Sequence, residues 1–220
     1  GVSTEFVEGR RVPDESSLEI AMMVLNGQIN TRLLAACRDL EIPAVGISGV
    51  DAGLIKAHKR PPISINDGST KTVDYGFVGD IDEVDASILL KQLDNDLIPI
   101  ISPLSADESG TLLNINADTV AAAIAVALEA EKLMLATGTP GILESADDPR
   151  SVISYLDIAG LNKLRDEGRL TDGMLPKAAA IEQALTGGVP RVHVISYELP
   201  DSLLLEVFTN EGMGTLVVND

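Results

Sequence analysis

The sequence predicts an α/β fold built on a mainly parallel sheet, and three observations carry that reading. Short apolar runs alternate with amphipathic helical stretches along most of the chain. The runs are continuously apolar, as in strands covered on both faces. One of them, Lys132-Leu-Met-Leu-Ala-Thr137, ends in Gly-Thr-Pro-Gly, as a parallel strand does where it reaches a ligand crevice.

The elements follow in order. Residues 1–14 are polar and loop-like. Leu18, Met22, Leu25, Ile29, Leu33, Cys37 and Leu40 recur every three or four residues, one face of a long helix that Asp14 or Ser16 could cap. This helix is a candidate contact between copies and equally a candidate core helix. Ile42 to Ser48 reads as a buried strand, with Gly49 to Gly53 as its turn. Leu54 to Gly79 carries Pro61-Pro62, Asn66-Asp67-Gly68 and an alternating stretch, the marks of a β-hairpin excursion. A helix is expected over Val84–Leu93 and a strand over Ile98–Ser102. In Leu112-Leu-Asn-Ile-Asn-Ala-Asp118, Asn114 and Asn116 alternate with apolar residues and so point to one side of an extended segment. Asp118 stands where an Ala-rich helix begins, as a cap or as an orienter of a cation. Beyond Thr137, strands are expected at Ser151–Leu156 and Arg191–Ser196, and helices at Ala159–Glu167, Gly173–Leu185 and Ser202–Asn210, and Gly214-Thr-Leu-Val-Val218 closes the chain.

Composition narrows the function classes. The 220 residues allow one sizeable core, or one large and one small lobe. Hydrophobic residues make up 45 % and tryptophan is absent, so the core must be aliphatic. A net charge of −18 disfavours nucleic acid or an anionic membrane surface as partner. The longest apolar run, Val120 to Leu128, is too short to span a membrane. The single Cys37 excludes an internal disulfide and fits a reducing compartment. With no signal pattern at Gly1-Val-Ser-Thr-Glu-Phe, a cytoplasmic protein is expected. His58 and His193 have no metal-ligand partners at suitable spacing, and His193 reads as a core or edge histidine.

Four stretches could carry chemistry. Thr171-Asp172-Gly173-Met174-Leu175-Pro176-Lys177 opens a helix with a lysine close to its free N–H groups, which suits either phosphate or a plain solvated lysine. Asn114, Asn116 and Asp118 could serve as turn amides and a cap, or as polar ligand contacts. Gly9-Arg10-Arg11-Val12 offers bidentate guanidinium donors to a carboxylate, or a surface pair. Thr137-Gly138-Thr139-Pro140-Gly141-Ile142-Leu143 is a strand-end loop.

Asn-x-Asn-Ala-Asp before an Ala-rich helix resembles the acetylglutamate kinases of the amino-acid kinase family, and the resemblance covers nearly the whole chain. It implies a three-layer αβα sandwich over residues 1–220, with a substrate-binding half at 1–128 and a nucleotide-binding half at 129–220. It implies phosphorylation of the side-chain carboxylate of N-acetyl-L-glutamate by ATP in arginine biosynthesis, with Mg2+ bridging the phosphates. Gly-Met-x-x-Lys is similar to the family's phosphate-contacting motif, so Lys177 would stabilise the phosphoryl group in flight, and Asp172, Gly173 and Met174 would lie at the nucleotide. Asp118 would orient the catalytic lysines, a carboxylate between ammonium groups keeping them charged. Asn114 would hold the acyl-amino acid, with Asn116 beside it. Arg11 aligns with the arginine that grips the substrate carboxylate, although Pro13 replaces the usual Thr. The Thr137 loop resembles the family's Thr-Asp-Val-Pro-Gly-Val-Leu, which assigns Thr137 and Gly141 to the nucleotide; Gly138 replaces the aspartate. Ile47 to Gly53 matches a segment read as structural. The family is typically dimeric or hexameric, which implies a homo-oligomer.

Two family motifs, Lys-x-Gly-Gly and His-Gly-Gly-Gly, do not occur in this sequence. At about 30 residues per βα unit, roughly 60 residues of the family pattern would precede Gly1. They would supply one catalytic lysine and half of a phosphate cradle, so transfer without them should fall by orders of magnitude. Central strands would also be lost, leaving unpaired edges. A piece of a longer protein is therefore expected. A related acetyl-aminoadipate kinase and a shortened regulatory or scaffold paralogue are the rival readings.

Overall fold

The computed structural model describes residues 6–7, 10–11, 15–64, 72–145, 147–170, 173–209 and 212–219. The chain divides into two compact units, Gly1–Val120 and Ala121–Asp220.

In the first unit, β1 (Phe6–Val7) pairs antiparallel with β2 (Arg10–Arg11). The long helix follows as α1 (Glu15–Met22), a π-helical stretch (Met23–Ile29) and α2 (Asn30–Asp39). The π stretch corrects the expected apolar face. Asn30 N–H donates back five residues to the Leu25 carbonyl, so the helix gains one residue and its inward face shifts by one position. Leu18 and Asn30 are buried and Leu34 and Cys37 half-buried, whereas Ile29, Leu33 and Leu40 of the predicted face are exposed. Cys37 is thus only half inside. The amide of Asn30 donates to the Ile100 carbonyl at 3.0 Å.

β3 (Ala44–Ser48) pairs in parallel with β8 (Ile98–Ser102), as continuous apolar runs predict. Between them lies the excursion, longer than expected. β4 (Ile55–Lys59) pairs antiparallel with β7 (Gly79–Val84), and β5 (Ile63–Ser64) with β6 (Thr72–Val73). Val84 therefore ends a strand, and helix α3 spans Ser87–Leu93. Acidic residues are poor strand formers, which hid β7. Cross-strand pairs compensate: Lys56 to Glu83 and His58 to Asp82, both at 2.7 Å, and Arg60 forked onto Asp80.

A second hairpin escaped the sequence reading. β9 (Leu104–Ala106) pairs with β10 (Leu112–Asn114) around a loop in which Asp107 Oδ1 accepts from the N–H groups of Ser109 and Thr111. Helix α4 (Ala117–Ala127) follows at once. Its cap acceptor is Asn116, whose Oδ1 accepts from Thr119 N–H at 3.1 Å. The helix starts at Ala117, one residue before the start the sequence suggested, so Asp118 lies inside the first turn.

The second unit holds a mixed four-stranded sheet in the order β11 (Leu133–Thr137), β13 (Arg191–Ser196), β14 (Thr215–Val218), β12 (Tyr155–Asp157). β11·β13 and β12·β14 are parallel; β13·β14 is antiparallel. Helices α5 (Ile158–Asp166), α6 (Leu175–Thr186) and α7 (Ser202–Phe208) complete it. The core is aliphatic, as expected: Leu135, Val192, Val194 and Val217 from the sheet meet Leu161, Ile181 and Leu185 from the helices, with Ala122 and Ala125 of α4. Among the described residues no helix is long and apolar enough to cross a membrane.

Capping by Asn116 gives a direct expectation. Asn116→Ala should lower stability by about 1 kcal/mol in urea unfolding, while Asn116→Asp, which keeps the acceptor, should unfold like the parent. Far-UV circular dichroism can follow both, since the chain has no tryptophan.

Candidate active site

The segments singled out in the sequence fall in both units. In the first, Leu113 and Ile115 are buried, and Asn114 and Asn116 alternate with them toward the outside, half-buried and exposed. Asn114 N–H donates to the Phe77 carbonyl at 2.8 Å, which anchors the end of β10. Asn116 commits its amide oxygen to the helix cap, a use the sequence reading had not given it. Asp118 is half-buried and engaged by a partner group. Arg11 pairs through its backbone with Phe6.

In the second unit, β11 and β13 end together at Thr137 and Ser196, both buried. The Thr137 carbonyl accepts from Tyr197 N–H at 3.0 Å. The chain then turns through Gly138 to Leu143. Thr139 Oγ1 donates to the Gly141 carbonyl, and Ile142 N–H donates to Thr215 Oγ1, each at 2.8 Å. A side chain at Gly141 would place its Cβ 2.7 Å from Thr215 Oγ1 and 3.0 Å from Val152, so glycine is required for close approach. At Gly138 a Cβ would stand 3.0 Å from Tyr197 Oη, so the phenol of Tyr197, itself 69 % exposed, occupies the space beside the missing aspartate.

Across from this loop, α6 begins at Leu175, with Met174 at its cap position and Pro176 in its first turn, where a missing N–H costs nothing. Lys177 sits in that first turn, half-buried and engaged by a partner group. Asp172 lies outside the described residues. The loop and the helix start share one cleft, lined by Thr139, Gly141, Ile142, Leu143, Arg169, Leu170 and Met174. Two of the expected nucleotide residues, Gly141 and Met174, are thereby brought onto one surface. Arg169 is a cation that sequence reasoning missed. Its guanidinium donates to the Glu144 carbonyl at 2.5 and 3.2 Å, and no motif around it signals the role. Among the described residues no group of three His, Cys, Asp or Glu side chains is placed to hold a metal ion.

His193 is buried on an inner strand of the sheet, the core rather than the edge position of the two the sequence allowed. Its Nδ1 lies 2.6 Å from Glu206 Oε1. Glu206 Oε2 accepts from the N–H groups of Met213 and Gly214 at 2.7 and 2.9 Å. Burial pushes the Glu206 pKa up, but the bonds from His193, Met213 and Gly214 outweigh it and hold the carboxyl below its ordinary value.

The amino acid kinase family model matches residues 1–196. The chain belongs to the amino acid kinase family. The acetylglutamate kinase of Myxococcus xanthus is 49 % identical over 219 residues, covering 98 % of this chain and 71 % of that protein. That of Heliobacterium modesticaldum is 43 % identical over 219 residues, covering 99 % and 74 %. In structure, the N-acetylglutamate synthase of Neisseria gonorrhoeae complexed with coenzyme A and N-acetyl-glutamate superposes with a TM-score of 0.82 at 29 % identity, covering 99 % of this chain and 47 % of that one. The chain thus spans about half the length of the synthase and close to three quarters of the kinases. An isopentenyl phosphate kinase, at 17 % identity and a TM-score of 0.62, shares the fold. Mixed sheets with parallel strands flanked by helices agree with the three-layer α/β fold that the family resemblance implied.

The depressed Glu206 carboxyl has a pH consequence. A group whose folded pKa lies below its unfolded value contributes stability above that unfolded value, near 4.5, and loses it as pH falls through the folded one. Unfolding free energy should therefore fall more steeply below pH about 4.5 in the parent than in Glu206→Gln; equal slopes in urea titrations would refute the assignment.

Proposed function

We propose that this chain carries the substrate and nucleotide machinery of an acetylglutamate kinase, which moves the γ-phosphoryl group of ATP to the side-chain carboxylate of N-acetyl-L-glutamate. The observation that supports this most is 41–49 % identity to acetylglutamate kinases along nearly the whole chain. That span includes both walls of the second unit's cleft.

The chemistry follows from the residues. A carboxylate oxygen of the substrate attacks the γ-phosphorus, the bond to the bridging oxygen breaks, and ADP leaves. Negative charge spreads over the transferred group, and the protein's task is to position and neutralise it. The start of α6 supplies free N–H groups and the positive end of a helix dipole. Lys177 in its first turn adds a compact cation and is assigned to the phosphoryl group in transit. Gly141, Gly173 and Met174, with Thr137 and Asp172, are assigned to the nucleotide. Arg169, paired with Glu144 and Glu167, braces the same cleft. Arg11 and Asn114, with Asn116 alongside, are assigned to the acyl-amino acid, and Asp118 to orienting the lysines. Mg2+ would be held mainly by the nucleotide phosphates, as this ion commonly is, and would neutralise charge there.

The relatives do not favour the acetyl-aminoadipate reading, and a regulatory paralogue would bind ATP without turnover. Homo-oligomeric assembly and a cytoplasmic setting belong to the same proposal. The test is ADP release by the natural full-length protein with each acyl-amino acid. N-acetyl-L-glutamate should be the better substrate. Lys177→Ala should lower kcat by about 10²–10³-fold, the loss typical for removing one preorganised charge-stabilising donor. Unchanged turnover in Lys177→Ala would remove that residue from the mechanism.

A further inference from the structure

We propose that His193 and Glu206 are positioning residues for the nucleotide loop, acting through Thr215. The inference rests on the reading of Gly141 as part of that loop and adds a device that sets the loop's height.

The connection runs through four bonded contacts within the second unit. His193 Nδ1 meets Glu206 Oε1 at 2.6 Å, which fixes the carboxylate against β13. The other oxygen takes both Met213 N–H and Gly214 N–H, which fixes the turn leading into β14. That turn has no slack: a Cβ on Gly214 would lie 2.1 Å from the Val194 carbonyl. The next residue, Thr215, is fully buried opposite Val194, and its Oγ1 accepts from Ile142 N–H at 2.8 Å. Gly141, immediately before, packs so closely on Thr215 that no side chain fits between them. Gly141 and Ile142 form one wall of the cleft that Met174 faces.

Two physical points favour positioning over plain stabilisation. A buried carboxylate is costly to desolvate, and well-packed apolar residues often serve stability as well or better. What the carboxylate supplies is direction, since its two oxygens are committed to three donors on two different segments. The fixed turn then dictates where a single hydroxyl stands beneath the loop. A displacement of the loop by a fraction of an ångström alters nucleotide contacts while leaving the first unit's residues untouched.

The experiment compares Thr215→Val, Glu206→Ala, Glu206→Gln and Gly141→Ala in the natural full-length protein, each assayed well below its own Tm. The readouts are KM for ATP, KM for N-acetyl-L-glutamate, kcat, and Kd for a fluorescent ATP analogue. Thr215→Val and Glu206→Ala should raise KM and Kd for ATP about fivefold, the loss of one ordinary hydrogen bond's worth of alignment, with KM for N-acetyl-L-glutamate within about twofold. Glu206→Gln, which keeps an acceptor for the turn, should recover part of the loss. Gly141→Ala perturbs the loop directly and should weaken ATP at least as much. If Gly141→Ala weakens ATP while Thr215→Val and Glu206→Ala do not, the relay is wrong and the loop reading stands. If Gly141→Ala leaves ATP affinity unchanged, the loop reading fails and the inference falls with it. Equal rises in both KM values, or a lowered Tm alone, would mean a general structural role and would overturn the proposal.

Discussion

The geometry of the proposed nucleotide loop depends on the double register of β13. On one side it runs parallel to β11 and brings Thr137 beside Ser196. On the other it runs antiparallel to β14 and sets Val194 opposite Thr215. A one-residue slip on either side would turn every side chain to the other face. His193 would lose Glu206, Thr215 would leave Ile142, and the loop after β11 would no longer rest on a fixed hydroxyl. The apolar faces of Val192, Val194 and Val217 hold the register, because a slip would carry these fully buried side chains out of the core. Core packing and site geometry are therefore the same constraint: Thr215, opposite Val194, shares a face of the sheet with Val192 and Val217, and His193 lies on the other.

Much of this was legible in the sequence for physical reasons. Ile98–Ser102 is a largely apolar run and Arg191–Ser196 sets Val192 and Val194 around His193, both of strand length and bounded by turn residues, and both form strands with those limits. The Gly-Thr-Pro-Gly turn marks a strand end because only such residues allow the sharp exit and close approach seen at Gly141. The readings that failed did so where the deciding forces are not local. The π-helical stretch shifts the inward face of the long helix by one residue, which a fixed 3.6 period cannot register. β7 is built of acidic residues that look unlike a strand until Lys56, His58 and Arg60 stand opposite them. The contact between Ile142 and Thr215 joins residues 73 apart in the chain, and neither position advertises it.

The charge balance gives the site its character. An acidic chain that is to take a polyanionic nucleotide, as proposed, must gather positive potential locally. In the proposed site that potential comes largely from geometry, a helix start that aims its N–H groups with Lys177 in its first turn, because Arg169 on the cleft wall is already paired with Glu144 and Glu167. Positive ends of helices carry no net charge, so the remaining surface can stay acidic. Asn116 shows the same economy in the first unit. One amide caps α4 and stands within two residues of both Asn114 and Asp118, tying helix formation to the placement of the residues assigned to substrate.

The central claim is that the acceptor of the phosphoryl group is a carboxylate. Incubating the natural full-length protein with ATP, Mg2+, N-acetyl-L-glutamate and hydroxylamine tests it directly, because hydroxylamine attacks an acyl phosphate, releasing inorganic phosphate and leaving a hydroxamate. The account predicts hydroxamate formed in step with ADP, and dependent on N-acetyl-L-glutamate. ADP released without hydroxamate would contradict it, as would the absence of both.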